Sequence, residues 1–287
     1  MPYIALIVPL LLAALLVQAW TGGVTPAVMA FPVNVAVAAA ALVVLWVAES
    51  EWGSTAWLKR LRSGGMACTL LVLTVLWCVA GGLVTQQHGA PLQPAWWHAF
   101  GLHAFTTSWP FVVLLALLQL HLALLLMHRL RHEGLQGQWT FVALHGGLLL
   151  ALAAGFLGSA DLTDHRTIVT RREATRTAYD ADGLAHPLPW ALQLTDFTVQ
   201  RNAADGSPSQ FVASLTVDDA PVTLAVNEPQ ALTWCDDLYL TSYDRAATDG
   251  HTAYCLVQVV HNPWKWLSYA GLALLMAGST MLLRRVR

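Results

Sequence analysis

The sequence has little charge and few cysteines. Only 11% of its 287 residues are charged and 56% are hydrophobic, whereas a soluble domain carries about 25% charged residues. We therefore expect most of the chain to lie in a lipid bilayer. The four cysteines form no C-x-x-C pair and no C-x-x-C-H sequence, which argues against dithiol exchange and against covalently attached haem. No phosphate-binding loop and no Ser-His-Asp set can be placed, so we assign no catalytic residue.

Six apolar runs have the composition of membrane-spanning helices, which need about 20 apolar residues. They cover residues 3–20, 33–48, 66–84, 109–127, 141–157 and 266–283, and the second is the shortest. The first run has no basic start and no A-x-A cleavage site, so we interpret it as a retained helix rather than a signal peptide.

Charge fixes the expected orientation of these runs. Lys59, Arg60 and Arg62 lie between the second and third runs, Arg129 and Arg131 lie between the fourth and fifth, and three arginines follow the sixth. All fall on one side, which the positive-inside rule places in the cytoplasm together with both termini. The opposite side receives residues 158–262, where 14 acidic residues against six arginines give a net charge of −8.

The fourth and fifth runs form a hairpin with one histidine in each arm. His121 lies eight residues before Arg129 and His145 seven residues after Gln138, so at about 1.5 Å per residue both lie at a similar depth. A neutral imidazole is a good axial ligand for haem iron, and a polar group in hydrocarbon needs a partner. The alternative, of similar weight, is that both histidines only tie helices together. We expect no metal other than haem iron.

The fifth run also predicts a close helix contact. Gly147, Ala151 and Gly155 recur every four residues, the small-residue pattern that lets two helix backbones approach. His145 lies about 200° from Gly147 around a helix. We therefore expect His145 to point away from this packing face.

An aromatic loop follows the third run, on the side opposite the basic loops. Trp96 and Trp97 with nearby phenylalanines predict a short helix in the membrane interface. The loop also holds three histidines, His88, His98 and His103. Solvated side chains are the simpler interpretation, and contact with external haem or a partner is the alternative.

Residues 158–262 begin with a polar stretch and continue with alternating segments at 190–200, 210–217, 221–227, 237–243 and 252–261. Period-two alternation separated by turn sequences predicts antiparallel strands. The predicted fold class is therefore a helical membrane protein with about six transmembrane helices and a periplasmic all-β domain, a sandwich or an open barrel. A disulfide between Cys235 and Cys255 is a possibility that the sequence does not decide. It would close a loop of about 20 residues and so contribute about 3 kcal/mol to the free energy of unfolding.

Several segments resemble the ResB or CcsB family of cytochrome c biogenesis proteins, the system II maturation pathway. They are CVAGGLVTQ, HGGLLLALAAGFLGSAD, LPWALQLTDFTVQRNAADGSPSQFVASLTV, VNEP, LYLTSYD and HNPWKWLSYAGLALLMAG, in an order that covers about residues 61–287. The resemblance divides the chain into two N-terminal helices (1–60), a three-helix membrane core (61–157), the periplasmic β domain (158–262) and a last helix (263–287). The two N-terminal helices and the compact β domain depart from the usual family architecture.

The resemblance implies a subunit in a bacterial inner membrane. With a CcsA- or ResC-like partner it would bring haem b across the membrane, transiently bound, and present it to apocytochrome c. A haem-ligating histidine within the membrane is expected at His121 or His145, with a slight preference for His145. Attachment of haem would be the work of the complex rather than of this chain alone, and no nucleic acid is expected. The open alternatives are a b-type electron-transfer subunit with permanent haem and a membrane-anchored scaffold without haem.

Overall fold

The computed structural model describes residues 3–86, 95–135, 137–202, 204–205, 208–244 and 252–286. The chain divides into two compact units. The helical part comprises Met1–Ala160 and Trp266–Arg287, and the β domain comprises Asp161–Lys265.

The helical part contains eight α-helices within the described residues. They are α1 (Ile4–Thr21), α2 (Val33–Trp52), α3 (Ala56–Leu61), α4 (Gly64–Gly82), α5 (Ala95–Phe100), α6 (Trp109–His132), α7 (Trp139–Leu157) and α8 (Lys265–Val286). All except α3 and α5 are long and apolar enough to cross a membrane. The six predicted spans are thus confirmed, and the second reaches Trp52 rather than residue 48.

Helix α6 is the centre of the helical part, because it contacts α1, α2, α4 and α7. Its inward side contributes Leu114, Leu118 and Leu122 to a buried core, where they meet Ile7 of α1 and Leu70 of α4. Any polar side chain on this side of α6 is therefore enclosed by apolar neighbours.

The basic residues of two separate loops meet at one end of the helices. Arg62, just after α3, donates to the Glu49 carboxylate at the end of α2, and Arg131 of α6 donates to the Ser50 hydroxyl. Lys59 lines the same cavity as Arg62 and Arg131. We refer to this end as the basic end.

The β domain is one antiparallel sheet of eight strands. They are β1 (Thr163–Thr170), β2 (Thr175–Tyr179), β3 (Ala185–Arg201), β4 (Pro208–Val217), β5 (Ala220–Ala225), β6 (Gln230–Ala231), β7 (Asp236–Tyr243) and β8 (Tyr254–His261). The strand order is β5-β4-β3-β2-β1-β8-β7-β6, and β5 at one edge contacts β6 and β7 near the other. The predicted β domain is confirmed. Of the two expected forms, a sandwich and an open barrel, the single curved sheet corresponds to the open barrel.

The sheet encloses one apolar core, which includes Leu194, Leu215, Leu224 and Val257. The β4–β5 hairpin turns at Asp218 and Asp219, which have φ values of 45° and 68°. Two consecutive positive φ values characterise the tight turn that matches the natural twist of a two-strand hairpin. The five alternating segments became β3, β4, β5, β7 and β8, whereas β1 and β2 come from the preceding polar stretch, in which no strand was predicted.

Candidate functional site

His121 lies on the inward side of α6 and is 5% exposed. Its Nδ1 is 2.7 Å from the carbonyl oxygen of Leu61. Because a carbonyl can only accept, Nδ1 must carry the proton, which leaves Nε2 with a lone pair. A histidine held in this way by a backbone carbonyl is oriented as metal-ligating histidines commonly are.

The His121 ring lines a cavity of about 180 Å³, which we call the His121 cavity. The rest of the lining is apolar and consists of leucines of α1, α2, α3 and α6 together with Ile7, Met66 and Leu70. Leu6, Leu10 and Leu120, which form part of this lining, are 38% to 49% exposed. The cavity therefore opens to the outer apolar surface of the helical part.

His145 has a different environment on α7. Its Nδ1 is 3.0 Å from the Phe141 carbonyl one turn earlier, and its ring stacks on Phe141 with a centroid distance of 4.0 Å. The ring is only partly buried. The two histidines lie close enough for their charges to interact, and each is held through Nδ1 by a different backbone carbonyl.

The packing face on α7 is used as expected. Gly147 lies against Gly271 and Leu275 of α8, and Gly271 in turn lies against Ala151. Gly155 has no such neighbour within 4 Å. The contact thus extends over the first two of the three predicted small residues.

The aromatic loop forms α5 and a following 3-10 helix. Trp96 makes edge-to-face contacts with Trp97 at 5.4 Å and with Phe100 at 6.4 Å, and α5 contacts α1. His103 is partly buried in the 3-10 helix. His88 and the side chain of His98 lie outside the described residues. The described residues of the loop therefore form an aromatic cluster.

A charged cluster at the basic end was missed by the sequence reasoning. The side chain of Glu49 is fully buried, with Oε2 2.6 Å from Arg62 and Oε1 2.5 Å from His128 Nδ1. His132 Nε2 is 3.7 Å from the same Oε1. The available signal was the His128-x-x-x-His132 spacing, which places both imidazoles on one face of α6. These three side chains could hold a metal ion, although the adjacent Arg62 competes for the carboxylate.

The two cysteines of the β domain are free thiols in the structure. Cys255 pairs with Tyr243 at one end of the β7–β8 ladder, whereas Cys235 precedes the Asp236–His261 pair at the other end. At about 3.3 Å per residue, seven residues of separation exceed the 7 Å that a disulfide tolerates between Cα atoms. The disulfide left open by the sequence is therefore not formed in this fold.

Cys235 instead lies beside Asp236 and His261. Its thiol donates to Asp236 Oδ2 at 3.4 Å, and His261 Nδ1 is 2.7 Å from Asp236 Oδ1. Burial alone would raise the pKa of Asp236, but hydrogen bonds from Thr233, His261 and Cys235 outweigh it and hold the pKa below its ordinary value. Asp236 is therefore a carboxylate at neutral pH.

Comparison with known proteins gives a match to a family model and matches to solved structures. A family model described as the ResB-like family matches residues 132–256, less than half of the chain. The matched stretch contains α7 and most of the β domain. Among curated proteins, none matches the chain.

One solved structure that resembles the chain is titled Cytochrome c Heme Lyase CcmF, with 14% sequence identity and a TM-score of 0.37. The alignment covers 73% of this chain and 33% of that chain. The chain thus spans about a third of the length of that solved protein.

Proposed function

We propose that this chain acts in cytochrome c biogenesis as a haem-handling membrane subunit. It binds haem b transiently inside the bilayer and, with a CcsA- or ResC-like partner, presents it to apocytochrome c. Haem is the cargo in this proposal rather than a resident cofactor. The observation that carries the proposal is an oriented histidine, His121, at an apolar cavity that opens to the lipid-facing surface.

The geometry supports His121 as the first ligand. Because Nδ1 donates to Leu61, Nε2 is the nitrogen available to iron. His145 is the second candidate, since its Nδ1 also bonds a carbonyl and leaves Nε2 available. The sequence slightly favoured His145, whereas the cavity gives the preference to His121.

The size of the His121 cavity supports a partner subunit. Binding pockets for small molecules typically measure about 300 to 1,000 Å³, and this cavity measures about 180 Å³. A porphyrin ligated by His121 would extend beyond the cavity, past the exposed Leu6 and Leu10. A second membrane protein packed on this surface would cover the remainder and could supply the other axial ligand.

The expected orientation follows from charge. We place the basic end in the cytoplasm and the β domain in the periplasm of a bacterial inner membrane. The ResB-like match to residues 132–256 and the family resemblance of the sequence support the pathway, for which system II is the specific proposal. To the acidic β domain and the aromatic loop with Trp96, Trp97, His88, His98 and His103 we assign contact with apocytochrome c, the partner or departing haem.

The test is the absorption and pyridine-haemochrome spectrum of the purified protein, with and without a co-expressed CcsA-like partner. Wild type is compared with His121→Gly, His145→Gly and, as a control outside the helical part, His186→Gly. We expect His121→Gly to lose the Soret band and the maturation of a reporter cytochrome c, and we expect added imidazole to restore the spectrum. Imidazole rescue separates loss of a ligand from loss of folding.

Other results distinguish the alternatives. Full haem content and full maturation in both membrane variants would refute the ligand assignment and favour the scaffold. Stoichiometric haem that stays bound and cycles between redox states without a partner would favour the electron-transfer subunit.

A further inference from the structure

A compact group of three different ligand types lies at the start of β7 in the β domain. Cys235, Asp236 and His261 each offer one ligand atom, and these atoms all lie within 4.8 Å of one another. Nothing in the proposed haem function uses this group. This group also gives Cys235 a role other than a disulfide, since Cys235 is far from Cys255 along the β7–β8 ladder.

We propose that Cys235, Asp236 and His261 bind one divalent transition-metal ion of the zinc class. A thiolate, a carboxylate and an imidazole are the three ligand types that zinc accepts, and three protein ligands leave a fourth position for water. The expectation from sequence, no metal other than haem iron, did not consider this group because its members are brought together only by the sheet.

The distances agree with such a site. With metal–ligand distances of about 2.0 to 2.3 Å, tetrahedral geometry requires about 3.3 to 3.6 Å between ligand atoms. The Cys235 Sγ to Asp236 Oδ2 distance is already 3.4 Å. His261 Nδ1 lies 2.7 Å from the other carboxylate oxygen, Oδ1. All three ligand atoms lie within 4.8 Å of one another, so they have to move by about 1 Å to meet on one ion. On binding, the Nδ1 proton moves to Nε2 and the Cys235 thiol proton passes to water.

The backbone around the group is held in place before any metal binds. Asp236 and His261 are directly opposite residues in the β7–β8 ladder. The Thr233 hydroxyl accepts from the backbone N–H groups of Cys235 at 3.2 Å and Asp236 at 3.0 Å, and the Cys235 carbonyl accepts from Asn262 N–H at 2.7 Å. Such preorganisation reduces the ordering that metal binding requires.

Access and charge also fit a cation. Cys235 is 7% exposed, whereas the His261 side chain is 44% exposed and that of Asp236 14%. An ion can therefore enter from the His261 side while the thiol stays shielded. The neighbouring Asp237 is already neutralised by Lys265 at 2.8 Å, so the negative charge of Asp236 remains for the metal.

The experiment is a cobalt titration of the full-length, reduced and metal-free protein in detergent, followed by displacement with zinc. Cobalt bound by a thiolate has a charge-transfer band in the near ultraviolet and tetrahedral visible bands. We expect one cobalt per chain with both signatures, bleached by one equivalent of zinc. Cys235→Ser is expected to abolish the charge-transfer band, and His261→Gln to weaken binding by about 100-fold or more, since even a lost supporting group costs about 10- to 100-fold.

Two controls make the result specific. Cys255→Ala removes the other buried thiol of the β domain, and His186→Gln removes a histidine that is also paired with a carboxylate, Asp180 at 2.9 Å. Both are expected to leave the titration unchanged. In the wild type, bound zinc is expected to slow alkylation of Cys235 by iodoacetamide, a measurement that does not depend on any variant folding.

Cobalt binding without a thiolate band would overturn the proposal and assign the metal to the Glu49, His128 and His132 cluster, which contains no cysteine. Binding that persists unchanged in Cys235→Ser and His261→Gln would overturn it as well. Neither result would affect the haem proposal, because its ligand candidates are His121 and His145.

Discussion

Gly147 of α7 and Gly271 of α8 approach so closely that neither can carry a side chain. A Cβ atom on Gly147 would lie 2.7 Å from the Gly271 carbonyl oxygen, and one on Gly271 would lie 2.8 Å from the Gly147 carbonyl oxygen. In lipid, helices associate through such backbone contacts because there is no hydrophobic force between them. This contact therefore joins the last helix of the chain to the helix that carries His145.

Gly147→Ala is expected to destabilise the helical part by about 1 to 3 kcal/mol, the usual cost of an overpacked methyl group. The obstructing atoms are backbone, which cannot rotate away. Gly146→Ala is the matched control, because no atom lies within 4 Å of a Cβ at that position. Thermal unfolding midpoints of the purified variants in detergent measure the difference, and equal midpoints would contradict the packing.

The sequence predicted α7 and its small-residue face but not the partner helix. Spans and alternating strands are visible locally, because their periodicity follows from which side is buried. Strand β1 was missed since only Thr167 and Val169 are buried along its length. Its place between β2 and β8 depends on pairing with distant residues.

The candidate site, too, could be predicted from the sequence only in part. The sequence shows that His121 lies inside a span. It does not show the hydrogen-bond partner of His121, because the Leu61 carbonyl is 60 residues away. Glu49 was not considered because it lies at the end of a span, where a charge is ordinary. Its burial depends on Arg62 and His128, 13 and 79 residues distant, and no local pattern reports such contacts.

Arg62→Met is expected to destabilise the protein by about 3 to 5 kcal/mol, the range for removing one partner of a buried ion pair. The Glu49 side chain is 0% exposed and that of Arg62 is 9% exposed, so the carboxylate would lose its main counter-charge. Arg129→Met is the control, because the Arg129–Glu133 pair is 36% and 43% exposed and exposed pairs are worth about 0.2 to 1 kcal/mol.

Thermal unfolding in detergent again measures both arginine variants. If Arg62→Met unfolded at the same temperature as Arg129→Met, the Glu49–Arg62 pair would not be buried as the structure has it.

Cys255 is expected to resist alkylation in the folded protein. It is fully buried, and burial raises the pKa of its thiol to about 12, whereas the reactive species is the thiolate. In a Cys68→Ala, Cys78→Ala background at pH 8, iodoacetamide is expected to modify Cys255 far more slowly than Cys235. In denaturant the two rates should converge.

Mass spectrometry of the modified peptides follows both rates. An unreduced sample with no free thiol at either position would instead indicate a Cys235–Cys255 bond and contradict the register of β7 and β8.

Below neutral pH, the free energy of unfolding of the β domain should depend on His165 of β1. Its ring is 4.3 Å from that of His186, which is paired with Asp180. Burial and the proximity of His186 lower the pKa of His165 below its ordinary value of 6.5, although Asp180 and Asp164 act in the opposite direction. As the pH falls below about 6.5, the unfolded chain therefore takes up a proton before the folded domain does.

By linkage, the free energy of unfolding of the β domain falls between pH 6.5 and the lower folded-state pKa, and it is unaffected by His165 above pH 6.5. His165→Gln removes this loss, so its stability should decline less than that of the wild type between pH 7.5 and 5.5. The difference between the two declines should be small, because solvent screens the interactions of a partly exposed ring. Pulse proteolysis in urea, with wild type and variant side by side at each pH, measures it. Parallel pH profiles would mean that His165 titrates alike in the folded and unfolded chains.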